Sequence, residues 1–184
     1  DDLMLNDQSG KELLKVGRLS AKFEILPLFN GRISIGNVQL FSFNANLEKP
    51  TPQATSNFQF VLDAFASKDT VKKKSNLDLR INSLLIRRGR VSYDVLSAER
   101  TPGKFNPQHI RLSNILANIS LKALQSDSIN AAIKRMSIEE DHSGFELKKL
   151  SLKIVANNKK MWIDNFAIDL PNTSLAMDTI RMEY

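Results

Sequence analysis

Two histidines and one acidic run are the residues of this chain best suited to chemistry. His142 directly follows Glu139, Glu140 and Asp141. Imidazole beside carboxylates supplies the ingredients of a metal site or of acid–base catalysis. The spacing argues against both. A strand presents residues i and i+2 on one side, and a helix presents i and i+4; this run is adjacent, and no second histidine is close in sequence. His142, Ser143 and Gly144 therefore read as a polar turn. His109, after Asn106-Pro107 at the start of a strand-like segment, reads as structural. The serines lack the strand–turn–helix setting of a nucleophile elbow, and the scattered single glycines make no phosphate loop. Asp164 and Asp169 alternate with apolar residues, as on an outward strand face. No catalytic residue, metal site or cofactor is expected.

The composition narrows the classes further. The chain has 184 residues, a formal charge of +6 and no cysteine. Disulfides, thiol catalysis and cysteine metal sites are excluded. The basic residues are dispersed as Lys72-Lys73-Lys74, Arg87-Arg88, Arg90, Lys148-Lys149 and Lys159-Lys160. Most lie beside or between strand-like segments, where they read as solvated edges or outer faces. Aromatic residues are not interleaved with arginine, so nucleic acid is not an expected partner. No apolar run reaches the roughly 18–20 residues of a membrane span. The length suits one domain, 1–184. The start at Asp1 and the end at Tyr184, inside a strand-like pattern, suggest a piece of a longer protein.

What the sequence does contain is a repeated apolar pattern: apolar, x, apolar, x, x, apolar, x, apolar. It occurs as Leu14, Val16, Leu19, Ala21 and as Ile33, Ile35, Val38, Leu40. It returns as Leu79, Ile81, Leu84, Ile86 and as Ile110, Leu112, Ile115, Ala117. It then crowds together: Ala131, Ile133, Met136, Ile138; Phe145, Leu147, Leu150, Leu152; Met161, Ile163, Phe166, Ile168; Leu175, Met177, Ile180, Met182. Alternation by two is the strand signal. The central step of three would turn the second half of an ideal strand to the other face. One extra residue at that step, a β-bulge, keeps all four side chains together and bends the strand. Bulges are expected near Asn82-Ser83, Ser113-Asn114, Lys148-Lys149 and Asp164-Asn165. Without them, each strand would pass between two faces or two sheets.

The elements that carry this pattern follow in order. Residues 1–10 read as a short strand and a turn. Leu13 to Ile25 is the next strand. Pro27 and Asn30-Gly31 punctuate the passage to Arg32–Leu40, which Phe41, Phe43, Ala45 and Leu47 extend until Pro50 and Pro52 stop it. From residue 56 to 67 the period changes. Phe58, Val61, Leu62 and Phe65 make one helical face, and Ser56 with Gln59 fits a capping box. This short α-helix is expected to pack across an open end of the sheet. Strands resume at Leu77. From Ile110 the short linkers favour an antiparallel meander. The fold class is mainly β: a curved, largely antiparallel sheet with one short α-helix near residues 56–67. Its apolar face has two readings, a closed core or an open lining, and periodicity does not separate them.

The order of motifs resembles the TamB family within the AsmA-like group of Gram-negative envelope proteins. Leu26-Pro27-Leu28-Phe29-Asn30-Gly31-Arg32-Ile33-Ser34-Ile35, followed by Val38-Gln39-Leu40, carries the first part of the resemblance. Asn57-Phe58-Gln59-Phe60 before the helix, and Leu79-Arg80-Ile81 through Gly89-Arg90-Val91-Ser92-Tyr93-Asp94, carry the second. Glu140, Ser143, Gly144, Phe145 and the closing Leu170-Pro171-Asn172-Thr173-Ser174-Leu175 carry the third. The resemblance spans essentially the whole chain and rests on order, since each motif is degenerate.

It implies an elongated, taco-like β-groove in a periplasmic protein whose parent is anchored in the inner membrane by an N-terminal helix. It also implies two roles: carrying phospholipid between inner and outer membranes, and assisting assembly of outer-membrane β-barrel proteins with a barrel partner. The leading expectation is a non-enzymatic conduit whose partners are phospholipid acyl chains. The expected lining is Leu79, Ile81, Leu84, Ile86, Ile110, Leu112, Ile115, Ile133, Met136, Ile138, Phe145, Leu147, Leu150, Leu152, Ile163, Phe166, Ile168, Leu175 and Met177. The alternatives are an assembly factor that offers a strand edge, and a purely structural β-domain.

Overall fold

In a computed structural model the described residues are 3–24, 34–61, 80–125 and 128–183, and side chains are described for most of them. They form one sheet of nine strands in sequence order. The strands are β1 (Leu3–Asn6), β2 (Glu12–Glu24), β3 (Ser34–Lys49), β4 (Arg80–Val95), β5 (His109–Gln125), β6 (Ser128–Glu140), β7 (Phe145–Asn157), β8 (Lys160–Leu170) and β9 (Thr173–Glu183). The sheet is mainly antiparallel and does not close on itself. The exception is the parallel pair β3–β4. A parallel neighbour needs a long crossover, and residues 50–79 supply it.

The step of three is accommodated as the bulge reading requires. In β7, Leu150 and Ile154 are four residues apart, and their partners in β8, Ile168 and Ile163, are five apart. Directly paired residues share a face, so one residue of β8 is extra. It falls at Asn165, whose φ is +53°. In β6 the same happens at Lys134-Arg135, because Ile133 and Met136 pair with Leu152 and Leu150. Leu147 and Leu150 in β7 pair with Ile138 and Met136, placing a bulge at Lys148-Lys149. Ser113-Asn114 bulges too, with Asn114 at φ +49°.

The step of three at Asn82-Ser83 follows the same rule: Ala21 and Phe23, two residues apart in β2, pair with Val38 and Ile35, three apart, and these pair with Leu84 and Ile81. A second kink in β4, which the spacing did not predict, lies nearer its middle. The left-handed residue of β4 is Arg88, at φ +56°, and the register with β5 breaks around Gly89. Ser42 in β3 is its counterpart at φ +54°. The pairs Phe41↔Arg87 and Asn44↔Arg90 set these two kinks at matching positions. Because Ser42 turns the chain, Leu40 and Phe43 share one face, opposite Leu19 and Val16. Phe41 goes to the other face, where the Arg87 guanidinium lies 5.8 Å from its ring centroid. Simple alternation through 41, 43, 45 and 47 does not show this.

The expected helix is described only at its start, and its residues 62–67 lie outside the described residues. Among the described residues only Gln59–Val61 is helical, with Phe58 and Val61 half-buried; Leu62 and Phe65 lie outside the described residues. Asn57 ties this segment to the sheet. Its Nδ2 donates to the Asn46 carbonyl at 3.0 Å, and its Oδ1 accepts from the Glu48 N–H at 2.9 Å.

Few side chains are sealed. The accessible surface is 12965 Å², whereas a compact monomer of this mass has about 8,900 Å². Among the described residues, the buried hydrophobics are Leu13, Val16, Val95, Ile115, Ala117, Ala131 and Leu147. The rest of the apolar pattern is half-buried or exposed.

Candidate functional site

The apolar pattern assembles into rows that cross the sheet. One row runs through Leu19, Leu40, Ile86, Ala117, Met136, Leu150, Ile168 and Leu175, each directly opposite the next. It passes from β2 to β9 without a polar residue. A second runs through Ala21, Val38, Leu84, Ile119, Ile133 and Leu152. Leu152 meets the bulged stretch of β8, where Phe166 continues the line to Met177. A third, Leu121, Ala131, Ile154, Ile163 and Ile180, lies beside it. The bulges are what hold these rows in phase: without an extra residue per kinked strand, every row would end at the kink.

The structure therefore brings together most of the expected lining. Leu84, Ile86, Ile110, Leu112, Ile133, Met136, Ile138, Leu150, Leu152, Ile163, Phe166 and Ile168 are half-buried on this face. Ile115 and Leu147 are buried; Phe145, Leu175 and Met177 are exposed by 51%, 44% and 42%. Ile81 pairs with Ile35 through the backbone, and Leu79 lies outside the described residues. Ile119 and Ile154 belong to the rows although they fall outside the eight-residue pattern. They continue the same alternation two residues beyond Ala117 and Leu152, a signal that was present in the sequence.

One end of the face is polar. Glu140 stands between Leu112 and Phe145 in register, so the strand places a carboxyl where the pattern would continue. Its side chain is 2% exposed. Burial pushes its pKa up, but hydrogen bonds outweigh this and lower it to about 2. The donors are the Ser143 hydroxyl at 2.6 Å, the Ser143 N–H at 2.7 Å, the Arg111 N–H at 3.2 Å and the His142 N–H at 3.3 Å. The carboxylate thus organises the β6–β7 turn, which Gly144 completes at φ +72°. Residues Glu139 and Asp141 turn elsewhere: Glu139 accepts from Asn114 at 2.7 Å and Asp141 from Ser113 at 2.5 Å. Among the described residues no three potential ligands group around a common point.

His109 is also committed to structure. It is 4% exposed, with its ring nitrogens 2.7 Å from Asp94 Oδ1 and 3.0 Å from the Ala98 carbonyl. It fastens the β4–β5 connection, together with Val95 N–H donating to the Gln108 carbonyl at 2.8 Å.

The opposite face is polar and basic. Two adjoining depressions, of about 510 and 480 Å³, share Asn44, Arg90 and Asn114; Arg88 lines the first and Arg111 the second. Lys153 pairs with Asp164 and Lys149 with Asp169 along β7–β8. This alternation explains both aspartates as outer-face residues.

The arrangement can hold apolar matter on one side and face water on the other. Compared with known proteins, the chain matches no family model and no curated protein sequence.

Proposed function

We propose that this sheet is a segment of a non-enzymatic hydrophobic conduit, along which phospholipid acyl chains move between the inner and outer membranes of a Gram-negative cell. One observation supports the reading above the others: the apolar row from Leu19 to Leu175 crosses from β2 to β9 on a sheet that neither closes nor buries most of that row. Transfer of a methylene from water to such a surface stabilises it by roughly 0.8 kcal/mol. The lining is non-directional, so a chain can slide without breaking specific bonds. Headgroups remain in water. The resemblance to the TamB family supplies the periplasmic setting and the inner-membrane anchor of the parent.

Substituting Leu150→Arg tests this in the parent protein. The charge falls in the middle of the row, where it raises the cost of moving an acyl chain past it. Phospholipid transport should stop while strand content, read by circular dichroism, stays unchanged. Undiminished transport by a folded Leu150→Arg protein contradicts the conduit.

A second reading, an assembly factor for outer-membrane β-barrel proteins, needs an accessible strand edge; among the described residues β9 has a strand on one side. An extended client could add to that edge through main-chain hydrogen bonds. Capture of nascent barrel protein by probes along β9, with none of lipid on the apolar face, would favour it.

A further inference from the structure

The polar face of β2–β5 carries a charge pattern that the apolar rows do not use. Lys15, Asn44 and Arg90 form one row across β2, β3 and β4, and Arg18, Phe41 and Arg87 form the next. Arg88 stands at the kink between them, and Arg111 lies opposite Ser92. Carboxylates on β2–β4 occur only at the strand ends, as Glu12, Glu24, Glu48 and Asp94. Glu48 pairs with Lys11 at 2.9 Å, and Asp94 pairs with Arg100 at 3.1 Å and His109 at 2.7 Å. The middle of these three strands therefore carries cations without carboxylates.

The two adjoining depressions lie in this region. Arg90 lines both, Arg88 the first and Arg111 the second. These three arginines are exposed, and among the described residues none of them is in an ion pair. Arg87, by contrast, is held over the Phe41 ring. The polar floor is fixed in place. Asn46 Oδ1 accepts from the Ser92 hydroxyl at 3.2 Å and from Asn44 Nδ2 at 3.4 Å, and Asn46 Nδ2 donates to the Glu12 carbonyl at 3.3 Å. One carboxylate, Asp141, borders the second depression. Its Oδ1 accepts from the Ser113 hydroxyl, and its Oδ2 takes no hydrogen bond among the described residues.

We propose that the two depressions form one binding site for a phosphorylated polyol. A guanidinium presents a planar fork of donors that matches the oxygens of a phosphate. Unpaired guanidiniums on one concave surface also make a positive field that a phosphate neutralises. Arg88 and Arg90 hold the phosphate in the first depression. Asp141 repels a bare phosphate but accepts from a hydroxyl, so the polyol part lies in the second depression, where Arg111 donates to its oxygens. The site is on the face opposite the apolar rows and does not rest on the conduit reading.

Two measurements on the full-length protein separate the sources of such a ligand. Calorimetric titration uses soluble glycerol phosphate, with inorganic phosphate as the probe that lacks a polyol. Flotation uses vesicles of phosphatidylglycerol and phosphatidylcholine in equal parts, with phosphatidylcholine alone as the control. Arg90 is exposed, so Arg90→Ser should keep its strand content. It should weaken binding by about tenfold or more, because hydrogen bonds to a charged group are lost. Lys149 is an outer-face cation on β7, away from the depressions, and Lys149→Ser should change nothing. Asp141→Ala should let inorganic phosphate bind as well as glycerol phosphate. Binding of the mixed vesicles that depends on Arg90 assigns a lipid headgroup, and binding of glycerol phosphate without it assigns a soluble ligand. Binding of neither, equal affinity of the unsubstituted protein for inorganic phosphate and glycerol phosphate, or equal losses from Arg90→Ser and Lys149→Ser would each overturn the proposal.

Discussion

The Phe43 ring lies over Gly89 so closely that a Cβ added to Gly89 would come within 2.3 Å of Phe43 Cε1. The two residues occupy facing positions beside the paired kinks of β3 and β4, and Val16 stands opposite Phe43 on the other side. Gly89 is therefore needed for space and not for a turn. Gly89→Ala should lower stability by about 1–3 kcal/mol, the usual cost of overpacking, as read from the denaturant midpoint. An unchanged midpoint would mean that the ring moves aside freely.

The kinks make a second prediction. Asn114 and Asn165 adopt left-handed backbone at φ +49° and +53°. Asparagine tolerates this conformation, glycine adopts it readily, and a β-branched residue is strained there. Asn165→Gly should be nearly neutral, while Asn165→Val should cost about 1–2 kcal/mol. If both variants melt alike, the extra residue of β8 is not held by its own backbone preference.

Glu140 gives stability a defined dependence on pH. Its folded pKa, about 2, lies below its ordinary value of 4.5. The unfolded state therefore binds a proton more readily than the folded state. The stabilisation is fully present above about pH 4.5 and is lost as pH falls towards 2. Glu140→Gln should flatten this part of the stability–pH profile and lower stability at pH 7 by about 1–3 kcal/mol, since buried donors lose a charged acceptor. A profile unchanged by the substitution would show that the turn is held by other bonds.

Much of the fold was legible because the strands state their own register. From β5 onward the apolar positions, the turns at His142-Ser143-Gly144 and Asn157-Asn158, and the bulges at Ser113-Asn114, Lys148-Lys149 and Asp164-Asn165 all follow from spacing. The kinks at Ser42 and Arg88 did not. Phe41, Phe43 and Ala45 keep a perfect alternation in sequence, and only pairing with β2 and β4 shows that Phe41 leaves the apolar face. The parallel β3–β4 pair was hidden for a similar reason, since local pattern carries no strand direction. Long-range polar links were also invisible. Asn57 meets Asn46 and Glu48 only after β3 has folded, and Glu140 enters the apolar row only when β5 and β7 flank it. The site was legible as a set of lining residues, but its continuity across β2–β9 depends on register between strands distant in sequence.

The central claim is that acyl chains occupy this apolar face, and photocrosslinking in cells tests it most directly. Probes in the parent protein at Ile133, Leu150, Ile163 or Phe166 lie on the rows, and probes at Lys153 or Asp169 lie on the outer face. The account predicts phospholipid adducts at the first set and far fewer at the second. Equal capture on both faces, or none on the apolar one, would contradict it.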